Sequence, residues 1–369
     1  MPYGIIASDS ITDSSGGVLA PSSSVFRNRI INGAMSISQG AAGATITPAV
    51  SSAYATNYPV DRFQVIVGAA SKLTTAQSST APTGFNFSTL ITSSSAYTVG
   101  SGEVFVIRQN IEGFNTADLA WGTASAASVT LSFWVRSSLT GTFGGSVQNS
   151  ASDRSYPFTY TISSANTFEK KTITIAGDTS GTWIGATNGI GLRVNFGLGV
   201  GSTYSGTAGT WAGSDYDSAT GATSVVGTSG ATFYITGVQL EKGTTATSFD
   251  YRPYGTELAL CQRYYYLLGR ASTFAWLGSA ICADTVESVY LTPSPVPMRA
   301  TPSFSSSGAL RLYNGATRAI TSSAINVHAT PNIPATTFTA SGGGLAAGQG
   351  VGLTANNDTA AFISYSAEL

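Results

Sequence analysis

TLSFWVRSS, residues 130–138, sets Leu131, Phe133 and Val135 against Ser132, Trp134 and Arg136. A period of two is that of a β-strand with one face in a core and the other turned away from it. Trp134 falls on the second face, which leaves two readings: the indole packs under a further layer, or it stands exposed. The same alternation returns in YPFTYTISS (156–164), KKTITIAGD (170–178), GLRVNFGLGVG (191–201) and ATFYITGVQLE (231–241). Gly-Asp-Thr-Ser-Gly at 177–181, Asn-Gly at 188–189 and Lys-Gly at 242–243 supply turns around them. Many short alternating strands with almost no helical period predict an all-β chain built on an antiparallel jelly-roll sandwich.

The composition agrees. Only 9% of the 369 residues are charged, against about 25% in an average globular domain. Glycine, serine and threonine fill the difference. Aromatics at 11% separate this from a disordered composition. A net charge of −1 and the lack of a basic patch argue against nucleic-acid binding. No run of eighteen apolar residues predicts a membrane span. The start, MPYGIIASDSITDSSGG, lacks a basic n-region with a long apolar stretch, so synthesis in a cytoplasm is expected. Cys261 and Cys282 read as two buried thiols or as a pair, the first being favoured.

GVQLEKGTTATSFDYRPYGTELALCQRYYYLLG, residues 237–269, breaks the bland pattern: Glu241, Lys242, Asp250, Arg252, Glu257 and Arg263 crowd among five tyrosines. We read it as a joint. ATFYITGVQLE ends one domain. Pro253 keeps Arg252 out of a helix. TELALCQ forms a short helix with Thr256 as its N-cap. RYYYLLG opens a second domain. The expected organisation is an N-terminal arm (1–27), a jelly-roll domain (28–255) and a smaller C-terminal β-sandwich domain (256–369). The arm holds two β-like pieces around Gly-Gly, too few to bury a core alone. Beyond 270, ESVYLTPSPVPMRATPSFS (287–305) carries four prolines and suits an edge or a sheet crossing. INVHATPN (325–332) and AAFISYSAEL (360–369) read as later strands, and ASGGGLAAGQGVGL (340–353) as a loop.

Chemistry finds little to work with. His328 is the only histidine and sits in INVHATPN, where a structural role is expected over a catalytic base. Three Cys and His residues without motif spacing give no zinc site, so no metal or other cofactor is expected. GGGLAAGQG lacks the Gly-Lys-Ser/Thr of a phosphate loop. Asp215 and Asp217 in TWAGSDYDSATG (210–221) are the closest carboxylate pair considered, beside Trp211 and Tyr216. Three readings stand: a solvated loop, a saccharide-facing loop whose aromatics stack on sugar rings, or a calcium or catalytic pair. Of Trp121, Trp134, Trp183, Trp211 and Trp276, the pair Trp183 and Trp211 follow Gly-Thr in loops and are the foremost candidates for ligand contact.

An ordered series of segments carries a resemblance: FRNRIINGAMSISQG (26–40), YPVDRF (58–63), RQNIEG (108–113), LSFWVRSSLTGTF (131–143), ITGVQLEKGTTATSFDYRP (235–253) and ELALCQRYY (257–265). It resembles a family of bacteriophage virion proteins, the tail fibres, head fibres and minor structural proteins. YGIIASDSITDSSGG (3–17) is similar to the attachment arms of such fibres in cyanophages and other marine phages. VPMRATPSF (296–304) and SAEL (366–369) occur in similar chains. The resemblance implies a jelly roll like that of carbohydrate-binding modules, then a smaller β domain, in a homotrimeric virion appendage. It implies fold-defining roles for Asn32, Asp61, Arg62, Glu112, Gln239, Glu241 and Arg263, and no catalytic residue. Asp61 and Arg62 are expected to pair with Glu112 or Glu241. The function expected is host-surface polysaccharide adhesion in the virion, tethered to other virion proteins through residues 1–27. Capsid decoration or a connector role is the alternative, and a depolymerase a third.

Overall fold

The structure, a computed structural model, describes residues 10–12, 18–21, 27–50, 57–270 and 272–369. The predicted turn at Gly16–Gly17 lies outside the described residues. β1 (Ser10–Thr12) and β2 (Val18–Pro21) pair with each other, antiparallel.

Ten strands between Gln64 and Lys242 form two five-stranded sheets. One runs, edge to edge, β10 (Glu169–Ile175), β7 (Val129–Ser137), β14 (Thr232–Lys242), β5 (Ser88–Ser93) and β4 (Leu73–Ser78). The other runs β3 (Gln64–Val67), β6 (Val104–Glu112), β11 (Ile190–Val200), β8 (Gly141–Gln148) and β9 (Ser155–Ile162). Neighbours are antiparallel throughout. The all-β jelly-roll class read from the sequence is the fold observed. Leu131, Phe133 and Val135 of β7 are fully buried. Phe133 meets Tyr160 and Phe196 of the opposite sheet edge-on, both at 5.0 Å between ring centroids. Each aromatic so buried contributes about 1.5–3 kcal/mol of transfer free energy. The other face of β7 has a layer of its own. Trp134 packs over Gly237 (φ +61), where a Cβ would lie 2.9 Å from the indole and 2.7 Å from Phe85. Glycine is required there by both the backbone and the two rings.

The C-terminal β unit has its own core. Six strands close into a barrel in the order β16 (Trp276–Cys282), β17 (Glu287–Leu291), β21 (Ala335–Ala340), β20 (Thr317–Ile325), β19 (Leu310–Tyr313) and β22 (Gly350–Ala355). A three-stranded sheet of β15 (Tyr265–Gly269), β23 (Phe362–Ser366) and β18 (Ser303–Ser307) shares that core through Ile363 and Tyr365. Closure leaves no edge strand in the barrel, where an open sandwich of two sheets would have four. The expectation of an edge or a sheet crossing over 287–305 holds from the prolines onward, where the next strand, β18, is an edge strand; Glu287–Leu291 before them form β17, paired on both sides in the barrel. Two local expectations need correction. β20 ends at Ile325, and His328 sits in an exposed turn, because the Asn326 side chain accepts the His328 N–H at 2.9 Å in an Asx turn. Gly350–Leu353 are strand rather than loop. Cys261 and Cys282 are free and buried in separate clusters.

The joint contains a single helix, α1 (Tyr254–Gln262). It starts two residues before Thr256. Pro253 (ψ 140) is the capping residue and no side chain caps the end, so Thr256 lies inside the first turn. The predicted pairing of Asp61 and Arg62 with Glu112 or Glu241 is not what forms. Asp61 accepts the backbone N–H of Gln39 at 2.8 Å and its side-chain amide at 2.6 Å. Arg62, at φ +72, turns its guanidinium over the Tyr264 ring at 3.5 Å and pairs with Glu368. Glu112 takes Arg263 instead, at 2.6 and 2.9 Å, with the Tyr264 hydroxyl at 2.6 Å. Glu241 accepts Gln239 Nε2 at 3.0 Å, with Thr247 N and Oγ1 both at 2.8 Å, and so fixes the segment after β14. Asn32, at φ +60, spans Ile37 N and O and Asp61 O. Buried charges need such partners, and here the second domain supplies half of them.

Candidate functional site

Trp183 and Trp211 come together at one end of the sandwich, with Trp121 between them. Ring centroids are 4.7 Å apart for Trp121–Trp183, 5.4 Å for Trp121–Trp211 and 5.5 Å for Trp183–Trp211, all near perpendicular. Tyr156 extends the cluster to Trp211 at 5.3 Å. Edge-to-face contact matches positive ring edges to negative faces. Trp211 Nε1 donates to Ala176 O at 2.8 Å, and Trp121 Nε1 to Ala127 O at 2.7 Å. Trp183 Nε1 lies 3.2 Å from Ser180 O and 3.3 Å from Asp178 Oδ2. Trp183 and Trp211 are half-buried and pack on the main core. Their polar atoms and much of their faces are therefore engaged within the chain.

Asp178, which the sequence marks only as a turn residue, anchors this end. Its oxygens take Arg154 Nε at 2.7 Å and Nη2 at 2.8 Å. Burial alone would raise its pKa; the Arg154 bonds, with the Ser180 N–H, hold it below the usual carboxylate range.

Asp215, Tyr216 and Asp217 lie in the segment 201–224, which crosses the outer face of the sheet containing β6, β11 and β8. It carries the short parallel pair β12 (Ser205–Gly206) and β13 (Ser218–Ala219). Gly144 and Gly197 let β13 approach: a Cβ on either would meet Ser218 Oγ at 2.5 and 2.6 Å. Beneath it, Arg108 donates to Asp217 Oδ1 at 2.6 Å and to Asn195 Oδ1 at 2.6 Å. Asn195 Nδ2 reaches Ser146 and Gln148, both at 2.9 Å, and Gln148 Nε2 reaches Asp215 at 2.8 Å. Asp217 is buried, and burial raises its pKa, opposed by the charge of Arg108. The Asp215–Asp217 pair thus faces inward, onto a polar sheet face that the segment itself closes. Among the described residues no cluster of three His, Cys, Asp or Glu side chains is placed to hold a metal ion.

Large aromatic side chains stay exposed elsewhere. Phe114, Tyr251 and Tyr254 flank the joint, and Phe274, Trp276 and Tyr313 lie on or beside the barrel. Trp276 is 63% exposed, whereas Trp121 is 7% exposed. The sequence order of preference among the tryptophans placed Trp276 below Trp183 and Trp211. Loop position was the signal used, and an outward-facing strand residue on a barrel carries no such mark.

No protein-family model matches the chain, and no curated protein sequence matches it. Solved structures give distant likenesses. One is the enzymatically active domain of tailspike protein 4 of bacteriophage CBA120, at 13% identity over 59% of this chain and TM-score 0.31; the match spans 22% of that chain. Another is a putative sugar binding protein from Bacteroides thetaiotaomicron, at 11% identity over 58% of this chain and all of the other, TM-score 0.32. A third is the family 11 carbohydrate-binding module of a Clostridium thermocellum cellulase, at 8% identity over 51% and 92%, TM-score 0.26. The fold assignment rests on the sheets and their registers.

Proposed function

We propose that this chain is a subunit of a bacteriophage fibre that binds host-surface polysaccharide and does not cleave it. One observation carries the reading: exposed aromatic rings stand on a rigid all-β frame whose surface is rich in hydroxyls and poor in charge. Aromatic faces take the C–H side of a sugar ring, and neighbouring hydroxyls and amides take its oxygens. The partly exposed edges of Trp183 and Trp211 are one candidate contact. Asp215 and Asp217 are engaged with Gln148 and Arg108, which disfavours a pair of free catalytic carboxylates. The segment resemblance to virion fibres supports placement in the virion, as a homotrimer tethered through residues 1–27. Three weak sites on one stalk raise avidity without any tight site.

The test is binding of labelled protein to host cells, with free surface polysaccharide as competitor. Saturable, competed binding is the expected outcome. A second reading, a capsid-decoration or connector protein, is favoured by the β1–β2 pair, since a two-stranded unit is marginal until it pairs with a neighbour. Absence of binding by folded oligomer, with loss of particle stability when the chain is deleted, is the outcome that replaces adhesion by this role.

A further inference from the structure

Trp276 opens β16, where a register shift between Trp276 and Gly278 turns Leu277 into the barrel and leaves the indole outside. The six-membered ring lies on Gly352 of β22; any side chain at 352 would overlap it. On the far side of β22, Arg311 and Tyr313 of β19 pair with Thr354 and Gly352, on the same outer face. The Arg311 guanidinium stands 5.0 Å from the Phe274 ring centroid and 5.1 Å from that of Tyr313. Its Nε donates to Thr354 Oγ1 at 3.0 Å and its Nη1 to Thr317 Oγ1 at 2.9 Å. Three rings and a cation thus cover neighbouring strands of one face, with Phe274 at 49% and Tyr313 at 38% exposure.

Folding alone does not account for this face. Exposed rings forgo burial, and the glycine under Trp276 keeps the indole flat on the sheet. Among the described residues no carboxylate lies within ion-pair distance of Arg311. The cation is held by hydroxyls and rings, and its charge is not neutralised. The indole reaches over β22, one strand spacing, about 5 Å, from β19, so Trp276, Arg311 and Tyr313 form one continuous patch.

We infer that this face binds an acidic saccharide. Sugar rings stack on Trp276 and Tyr313, and a uronate carboxylate meets Arg311, whose planar fork suits that group. The inference rests on the polysaccharide-binding reading and narrows it to a site and a ligand class. Cation–π contact with Phe274 and Tyr313 holds the guanidinium in place before the ligand arrives.

The experiment uses the full chain and three surface-bound probes: polygalacturonate, alginate and purified host surface polysaccharide. Each is offered native and after chemical reduction of its carboxyl groups to neutral sugars. The expected result is binding to at least one native probe and at least about tenfold weaker binding to its reduced form, as loss of a charge-assisted contact requires. Trp276→Ala and Arg311→Gln each remove the preference. Both side chains are on the surface, so an unchanged thermal transition confirms folding of the variants. Equal binding to native and reduced probes overturns the inference and leaves polysaccharide binding standing. So does binding that survives Trp276→Ala but is lost in Trp183→Ala, which puts the contact at the end of the sandwich. No binding to any probe or to host cells by folded protein overturns both.

Discussion

Glu112 sits at the end of β6 with both oxygens taken, by Arg263 Nε and Nη2 and by the Tyr264 hydroxyl. Burial alone would raise its pKa; the bonds from Arg263 and Tyr264 hold it below the usual range. A carboxylate depressed in the folded state stabilises the fold above its unfolded pKa, about 4.3. That contribution is lost as pH falls through the folded value. Arg263 keeps 31% of its side chain in water and stays solvated without Glu112, so the loss is that of the charge-assisted hydrogen bonds. Glu112→Ala is therefore expected to cost about 2 kcal/mol at neutral pH and to flatten the loss of stability on acidification below about pH 4.5. Urea unfolding of both proteins at pH 7 and pH 3.5 checks this. A variant penalty that stays equal at the two pH values removes the proposed role of the ionised pair.

The segment 201–224 shows what an element can do that its residues do not announce. Asp217 reads as a loop aspartate because its partner, Arg108, is 109 positions away. The strands were legible from local alternation: β7, β9, β10, β11 and β14 begin and end within about three residues of their expected limits. The joint was legible too, because charges and tyrosines stand out against Ser and Gly. The unread parts are non-local. Barrel closure, the switch of Glu112 from Arg62 to Arg263, and the packing of Trp183 and Trp211 each depend on a surface brought from elsewhere in the chain. Asp217 yields the opposite linkage to Glu112. Its folded pKa is raised by burial, so its favourable contribution is present at low pH and is lost as pH rises through the folded value. Asp217→Asn mimics the protonated form and does not titrate. The expected outcome is that the variant gains stability relative to wild type between about pH 3.9, the unfolded aspartate value, and neutrality. Denaturation midpoints at pH 4 and pH 7 test it, and fixed costs of the substitution cancel in the comparison. A difference that is constant with pH, or that grows toward low pH, sinks it.

The two β units are held together by more than a linker. Cys261 and Tyr264 share a cluster with Ile31 and Ile37, and Leu258, Leu260 and Leu369 pack on it. A cut at residue 256 would bare that surface, so removing the C-terminal unit is not a clean test of its function. The chain after β23 also returns to the sandwich. Glu368 pairs with Arg62, Asn110 Nδ2 donates to Leu369 O at 2.8 Å, and Arg299 donates to Ala367 O at 2.7 Å and to Glu368 O at 2.9 Å. Arg62 is 2% exposed, so its charge has no recourse to water if Glu368 is removed. The Arg299 bonds hold the tail within its own unit, while the Arg62 and Asn110 contacts cross to the sandwich, and these crossing contacts make unfolding of one unit costly to the other. Wild type is expected to melt in one calorimetric transition. Glu368→Ala strands Arg62 at a cost of about 3 kcal/mol and is expected to split the transition, with the barrel and the sandwich unfolding separately. The fixed geometry matters for adhesion, because a platform on the barrel presents its rings in one orientation only while the joint holds. A single unsplit transition in Glu368→Ala, at the wild-type midpoint, would mean that the packed cluster around Tyr264 couples the units without the ion pair.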